Sequence, residues 1–287
     1  VSRLVVVGGG VIGTMHALLG VERGWSVVHL EREDAPRGAS VRNFGLVWVS
    51  GRARGREIGL ALEARELWES LAGRYPGTGF RANGSLTVAA TREEEAVLEE
   101  VAARDDAATR GIRMLAPDQV RELNPALGKV RSALHCAKDA AVEPRRVLGA
   151  LREACLASGR YQWLAGREVV EIGDHEVLDS AGERHPGDLV VLCTGAAHRG
   201  LVGQVLDGAP LRRVRLQMME TARYRPTVTT SLADGDSLRY YPGFDVPARA
   251  ALQPQSATAA AWSVQLVTGF GGRGMTLSPV VATETFR

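Results

Sequence analysis

The sequence is poor in lysine, aromatics and cysteine and has no long apolar run, and each shortage excludes a class of protein. Only Lys129 and Lys138 among the 35 basic residues are lysine, and the formal net charge is +2. The arginines alternate with acids, as in Arg92–Glu95 and Arg104–Asp106, so no basic stripe is left for a phosphate backbone, and nucleic acid is excluded as a partner. Cys136, Cys155 and Cys193 have neither C-x-x-C nor metal-ligand spacing, and their odd number suits buried thiols in a reducing compartment. The histidines, His16, His29, His135, His175, His185 and His198, lack H-x-x-x-H and H-E-x-x-H spacing; they read as structural, and no metal is expected. No stretch approaches the ~20 apolar residues of a membrane span, and Leu4–Val7 is too short for a signal-peptide core. A cytoplasmic protein with no membrane partner is the expectation. No internal repeat stands out either.

What is present describes a globular chain: 287 residues, 45% hydrophobic, 24% charged, with 33 glycines, enough for one large core or two smaller ones. Arg3–Val7 reads as a buried strand, Val11–Arg23 as a helix and Ser26–Leu30 as a second buried strand, half of a βαβ unit. Helical spacing runs from Ile58 to Leu71, and Ser85–Ala89 reads as a strand after Asn83-Gly84. Thr91 caps a charged helix reaching about Arg110, and Pro117–Leu123 and Pro144–Leu156 read as further helices. Strands are expected at Tyr161–Leu164, Glu168–Ile172 and Glu176–Asp179, then after a turn at Ser180–Gly182, at Asp188–Cys193, whose apolar run suits an interior parallel strand. Leu211–Glu220, Ser237–Tyr241 and Ala261–Leu266 suggest antiparallel strands of another sheet, and a helical tail follows Gly269, Gly271, Gly272 and Gly274.

Gly8-Gly9-Gly10-Val11-Ile12-Gly13 fits G-x-G-x-x-G between the first strand and the first helix. There Gly8 permits the sharp turn, Gly10 lets a pyrophosphate approach the helix N terminus, and Gly13 lets helix and strand pack closely. Glu31, at the end of the second strand, can accept from both ribose hydroxyls and disfavours a 2′-phosphate, pointing to FAD or NAD rather than NADP. Three features favour flavin. The small-residue loop Arg37–Gly45 follows Glu31 where a nicotinamide domain would continue into a crossover helix. Asp188–Gly195 is a buried strand ending in small residues, and Thr268–Thr276 offers a second glycine-rich helix start, whose dipole would stabilise negative charge at a flavin's pyrimidine edge.

Gly8–Gly13, Glu31, the Gly38–Gly45 loop, Val142-Glu143-Pro144, Asp188–Gly195 and Gly269–Thr276 follow the order of the D-amino-acid oxidase/glycine oxidase superfamily of FAD-dependent amine oxidoreductases, which the chain resembles throughout its length. Gly38–Gly45, Leu216–Met219, Leu238–Pro242 and Gly271–Ser278 further resemble a bacterial branch associated with phosphonate catabolism, which implies an aminoalkylphosphonate substrate. The resemblance implies an α/β (α+β two-domain) fold, a Rossmann-like FAD-binding domain interleaved with an antiparallel-sheet substrate domain. The first takes residues 1–50, 140–205 and 267–287; the second takes 51–139 and 206–266. It places Gly8, Gly10, Val11, Ile12 and Gly13 at the pyrophosphate, and Glu31 with Arg32 at the adenosine ribose. Ala39, Ser40, Arg42, Asn43 and Phe44 come beside pyrophosphate and flavin, Val169 at the adenine, and Thr194 and Gly195 under the dinucleotide. Gly271, Gly272, Arg273, Gly274, Met275 and Thr276 come at the pyrimidine edge.

The implied reaction oxidises a small amine by hydride transfer to flavin N5 followed by hydrolysis of the imine, with oxygen as electron acceptor. Arg239, Tyr241 and Arg273 are the substrate-binding candidates, because a guanidinium fork matches a carboxylate or phosphonate. No residue is assigned to a chemical step, and no cysteine or histidine matches a flavin-attachment motif, so FAD is expected to be non-covalent. An NAD-dependent dehydrogenase and a non-catalytic flavin-binding protein stay open. The last draws on Ala261–Thr268, where a substrate-sheet strand and the strand feeding the final flavin turn meet without Gly, Pro, Asn or Asp between them. Residues are therefore expected to be absent between Leu266 and Val267.

Overall fold

A computed structural model describes residues 1–197, 203, 218, 227–252 and 274–286. Four parallel strands form its first sheet: β1 (Arg3–Val7), β2 (Ser26–Glu31), β8 (Tyr161–Ala165) and β12 (Leu189–Leu192), in the order β12-β1-β2-β8. Parallel neighbours need a crossover, and helix α1 (Val11–Glu22) supplies the one from β1 to β2. The alternation within β1 divides the core. Leu4 and Val6 pack with Val11, Met15, Leu18 and Val21 of α1 and with Val147, Leu148 and Leu151 of α6 (Pro144–Ala157). Val5 and Val7 join Val28, Leu30 and Val177 on the other face, under a small antiparallel sheet of β9 (Val169–Gly173), β10 (Glu176–Asp179) and β11 (Arg184–Pro186). Cover on both faces is what wholly apolar parallel strands require, and each such side chain contributes about 2 kcal/mol on burial.

A second four-stranded sheet has the order β13-β4-β6-β5, from Ser231–Ala233, Ser85–Ala89, Ser132–Cys136 and Ile112–Leu115. β13 runs parallel to β4, and the other pairs are antiparallel. One face packs Ala89, Leu134 and Cys136 with Trp48, Val97, Leu238 and Phe244; the other packs Leu86, Leu115 and Ala133 with Val120 of α5 (Pro117–Leu123). Between the sheets lies the ribbon of β3 (Leu46–Val47) and β7 (Ala140–Ala141). Buried Asp139 ties it down, accepting from Val49 N (2.5 Å), Ser50 N (3.0 Å), Ser50 Oγ (2.6 Å) and Ser85 Oγ (2.5 Å). Helix α2 (Arg56–Arg74) places Trp68 and Leu71 in the core beneath the parallel sheet.

Several elements depart from the sequence expectations. The charged segment after Thr91 is two helices, α3 (Arg92–Ala102) and α4 (Ala107–Arg110). Thr91 and Glu94 do form the capping box, but the helix stops at Ala103, and Asp106 beyond it accepts from both Arg104 (3.1 Å) and Arg110 (2.8 Å). Ser237–Tyr240 is a one-turn helix, α7, rather than a strand: Asp234-Gly235-Asp236 starts a turn in which the Asp234 carbonyl and carboxylate both accept from Ser237 N. β12 is half-buried and ends the parallel sheet among the described residues, rather than lying inside it. The expected strands at Leu211–Glu220, except Met218, and at Ala261–Leu266, and the Leu266–Val267 junction, lie outside the described residues. The helical tail is α8, Gly274–Thr285, which packs on α1 and α2. Among the described residues no helix is long and apolar enough to cross a membrane.

Candidate functional site

At the C-terminal edge of the parallel sheet, the turn from β1 into α1 is packed too tightly for side chains. Gly8 has φ +109°, and a Cβ there would collide with the Cys193 carbonyl at the end of β12. A Cβ at Gly13 would collide with the Gly8 carbonyl, and one at Gly10 would lie 3.0 Å from Ser40 Oγ. Gly9, which the motif leaves as any residue, is equally confined: its Cβ would meet Trp163 Cη2 at 2.5 Å and Glu31 Oε2 at 3.0 Å. Each glycine thus brings backbone against a neighbour, the condition for backbone N–H groups to face a bound anion. The first turn of α1 carries no acidic residue, so the partial positive charge at its N terminus is not offset there.

Ser40 reaches this turn from the loop after β2, its Oγ accepting from Val11 N at 2.9 Å, so one of the helix's orphan donors already meets an oxygen. Glu31 is half-buried, with Oε2 accepting from Gly9 N (2.8 Å) and Oε1 from Glu33 N (3.1 Å); each oxygen keeps a lone pair for a further donor. Asn43 braces its own loop, donating to Ala39 O (2.8 Å) and Ser40 O (2.9 Å) and accepting from Gly45 N (2.7 Å). Arg32, Ala39 and Arg42 are exposed, and Phe44 is 67% exposed, which removes it from the core. Thr194 and Gly195 follow β12, whose end is tied to β1 by Cys193 N donating to Val7 O at 2.7 Å. Val169 is half-buried at the start of β9.

The start of α8 docks on the ribbon from far along the chain. Thr276 Oγ1 donates to Leu46 O (3.0 Å) and accepts from Trp48 N (3.1 Å) and the buried Arg52 (3.4 Å), while Trp68 Nε1 donates to Met275 O (2.8 Å). Gly271, Gly272 and Arg273 lie outside the described residues; Gly274, Met275 and Thr276 open the helix. Of the substrate candidates, Tyr241 meets Trp48 edge-on with ring centroids 4.3 Å apart, and through Trp48 it adjoins Thr276. Arg239 is turned towards its own helix, donating to Gly235 O and Asp236 Oδ1 at 2.9 Å each, with Glu94 4.0 Å away.

Burial pushes His29 down to about 4 and the Cys193 and Cys155 thiols up to about 12, and lowers His16 as well. Asp179, Glu183 and His185 converge beneath the small sheet, and Arg167 fills the space between the carboxylates at 2.7 Å and 3.2 Å. Sequence reasoning missed Gly9, Trp163, Trp48, Arg52 and Asp139. The signal for Gly9 was present in the unbroken triple glycine; the others meet their partners only in the fold.

Residues 3–246 match the family described as DAO, FAD dependent oxidoreductase. One of the subunits of opine oxidase from Rhizobium meliloti is 26% identical over 240 residues, covering 77% of this chain and 63% of that protein. Among solved structures, glycine oxidase from Bacillus cereus superposes with a TM-score of 0.63 at 24% identity, covering 71% of this chain and 58% of the other. Iminodiacetate oxidase from Chelativorans sp. does so with a TM-score of 0.60 at 22% identity, covering 73% and 58%. The chain therefore spans less than two thirds of the length of each of these relatives.

Proposed function

The chain belongs to the DAO family of FAD dependent oxidoreductases, and from that membership we propose that it oxidises a small amine bearing an anionic group, using non-covalent FAD. The glycine turn carries this reading. Four glycines whose backbones lie close against their neighbours, a serine hydroxyl against the first N–H of α1 and a carboxylate two residues beyond His29 on β2 suit a pyrophosphate and a ribose. Family membership favours flavin over nicotinamide. In this reading Gly8, Gly10, Val11, Ile12 and Gly13 hold the pyrophosphate with Ser40, and Glu31 and Arg32 hold the ribose. Ala39, Arg42, Asn43 and Phe44 border the cofactor, Val169 the adenine, Thr194 and Gly195 its underside, and the segment from Gly271 to Thr276 its pyrimidine edge. Segments 1–50, 140–205 and 267–287 make up the cofactor unit; segments 51–139 and 206–266 make up the substrate unit.

When bound, FAD supplies the acceptor for the hydride that leaves the carbon next to the amine nitrogen. The chain's own work is positioning and charge. Arg239, Tyr241 and Arg273 take the substrate's carboxylate or phosphonate; for Arg239 this needs its guanidinium to leave Asp236. The amine must reach the site neutral, so that its lone pair forms the C=N bond as hydride departs; water then adds to the carbon and releases carbonyl and amine, with oxygen taking the electrons. The relatives' names cite opine, glycine and iminodiacetate, and the resemblance of Gly38–Gly45 and Leu238–Pro242 to the phosphonate-associated branch narrows the substrate to aminoalkylphosphonates such as 2-aminoethylphosphonate or its N-methyl derivative.

Anaerobic mixing of the purified holoprotein with amino acids, iminodiacids and aminoalkylphosphonates tests this. Flavin bleaching by the phosphonates supports the narrow reading, and bleaching by the others alone supports only the broad one. Flavin that no amine bleaches would favour the non-catalytic reading, which draws on the turnless stretch Ala261–Thr268.

A further inference from the structure

The Gly8–Gly9 peptide plane is held at both ends by one face of β2. Its N–H donates to Glu31 Oε2 at 2.8 Å, and its carbonyl lies 3.0 Å from His29 Nε2. His29 and Glu31 are two residues apart on a strand, so their side chains project on the same side, and a trans peptide points its N–H and C=O in opposite directions. The spacing of the two side chains thus matches the two ends of one peptide.

The chemistry at His29 allows one arrangement. The ring is fully buried, and burial lowers its basicity to about 4, so it is neutral at ordinary pH. A carbonyl can only accept, so Nε2 carries the proton and Nδ1 must accept; it does so from Tyr161 Oη on the neighbouring strand, at 2.9 Å. Edge contacts with Tyr161 and Trp163, at centroid distances of 5.9 and 4.9 Å, fix the ring plane. The same Gly8 carbonyl is the atom that a Cβ at Gly13 would strike. Its direction therefore sets how the turn enters α1 and where the next N–H groups, of Gly10 and Val11, point.

Resting on the FAD reading, we propose that His29 is a positioning residue for the cofactor: with Glu31 it clamps the Gly8–Gly9 peptide and presets the turn that receives the pyrophosphate. His29 touches no reacting atom. The cost of ordering the turn is met on folding, so less is lost when the cofactor binds.

The test compares FAD dissociation constants of apoprotein prepared from the holoprotein, for wild type, His29→Leu and His29→Gln. Leucine fills the space without a donor, and glutamine restores an N–H near Nε2. The clamp predicts that His29→Leu binds FAD roughly tenfold or more weakly and that His29→Gln recovers most of that loss. Equal affinity for His29→Leu and wild type overturns the clamp, as does a glutamine variant that folds like wild type yet binds no better than leucine. Nitrogen NMR of the wild-type imidazole covers the case in which the leucine variant does not fold: a proton on Nε2 and an accepting Nδ1 support the clamp, and the opposite tautomer overturns it. A wild-type apoprotein that takes up no FAD overturns the cofactor reading itself, and with it the clamp's purpose.

Discussion

The turn at Gly8–Gly13 and the wall of packed residues around Trp48 and Tyr241 are built by different means. The turn is assembled mostly within one βαβ stretch, where β1, α1 and β2 follow one another and contacts join Gly8, Gly13, His29 and Glu31, while Ser40, Trp163 and Cys193 close on it from later in the chain. The wall joins residues from remote parts of the chain: Trp48 meets Tyr241 and donates to Thr276, 228 positions away. A site written largely in one short stretch is fixed mainly by local sterics, and its side chains have few alternatives. A wall gathered from distant segments depends on everything that packs between them.

The sharpest probe of the turn adds one carbon there and, as a control, one where space is open. Gly13→Ala drives a methyl into the Gly8 carbonyl, with His29 Nε2 and Val6 Cγ1 at 3.1 Å, and is expected to cost about 3 kcal/mol or more and to abolish FAD uptake. Gly59→Ala, on α2 where nothing lies within 4 Å, should gain roughly 0.5–1 kcal/mol. Denaturant unfolding and the flavin content of the purified variants read both.

Acid probes the turn next. The unfolded chain protonates histidine near 6.5, whereas His29 in the fold does so at about 4. The unfolded state then binds more protons between these values, so His29's contribution is complete above pH ~6.5 and is lost as pH falls towards ~4, about 3 kcal/mol in all. Unfolding free energy measured across this range should decline, and His29→Gln should flatten that decline. Asp179 acts lower on the scale. Burial raises its carboxyl, but His185, the Glu183 and Ala181 N–H groups and Arg167 outweigh it and hold the group well below the usual carboxylate range, so its contribution is lost only as pH falls below ~4.

Asp139→Ala probes the junction between the regions. It strands four donors in the interior and should cost about 2–3 kcal/mol with little change in FAD affinity. The smallest loss is expected from Trp68→Phe, which keeps a ring in the core but loses the indole N–H that donates to the Met275 and Thr276 carbonyls. A loss of about 1 kcal/mol, with faster amide exchange at the start of α8, would show that such long-range bonds help to hold the start of α8.

The same contrast explains what could be read from the residues alone. The parallel sheet, α1, the capping box at Thr91 and the glycine turn are local patterns, and each lies where its pattern places it. Ser237–Tyr240 alternates like a strand, yet the turn chemistry of Asp234-Gly235-Asp236 makes it helical. Apolar Leu189–Leu192 suits an interior strand, but sequence does not say how many neighbours a strand will have. Arg239 is a candidate for the charge that its guanidinium brings; its partner Asp236 is only three residues away in the sequence, whereas Glu94 is found only once α3 and α7 pack together. His29 drew no functional assignment because its partner is a backbone carbonyl, and no residue pattern marks one.

The claim on which everything else depends is that the glycine turn holds one FAD without a covalent bond. Acid denaturation of the protein as purified, followed by separation of polypeptide from supernatant and quantitation of flavin in each, measures this directly. The account predicts one FAD per chain, all of it in the supernatant; a colourless protein, or flavin that stays with the polypeptide, would contradict it.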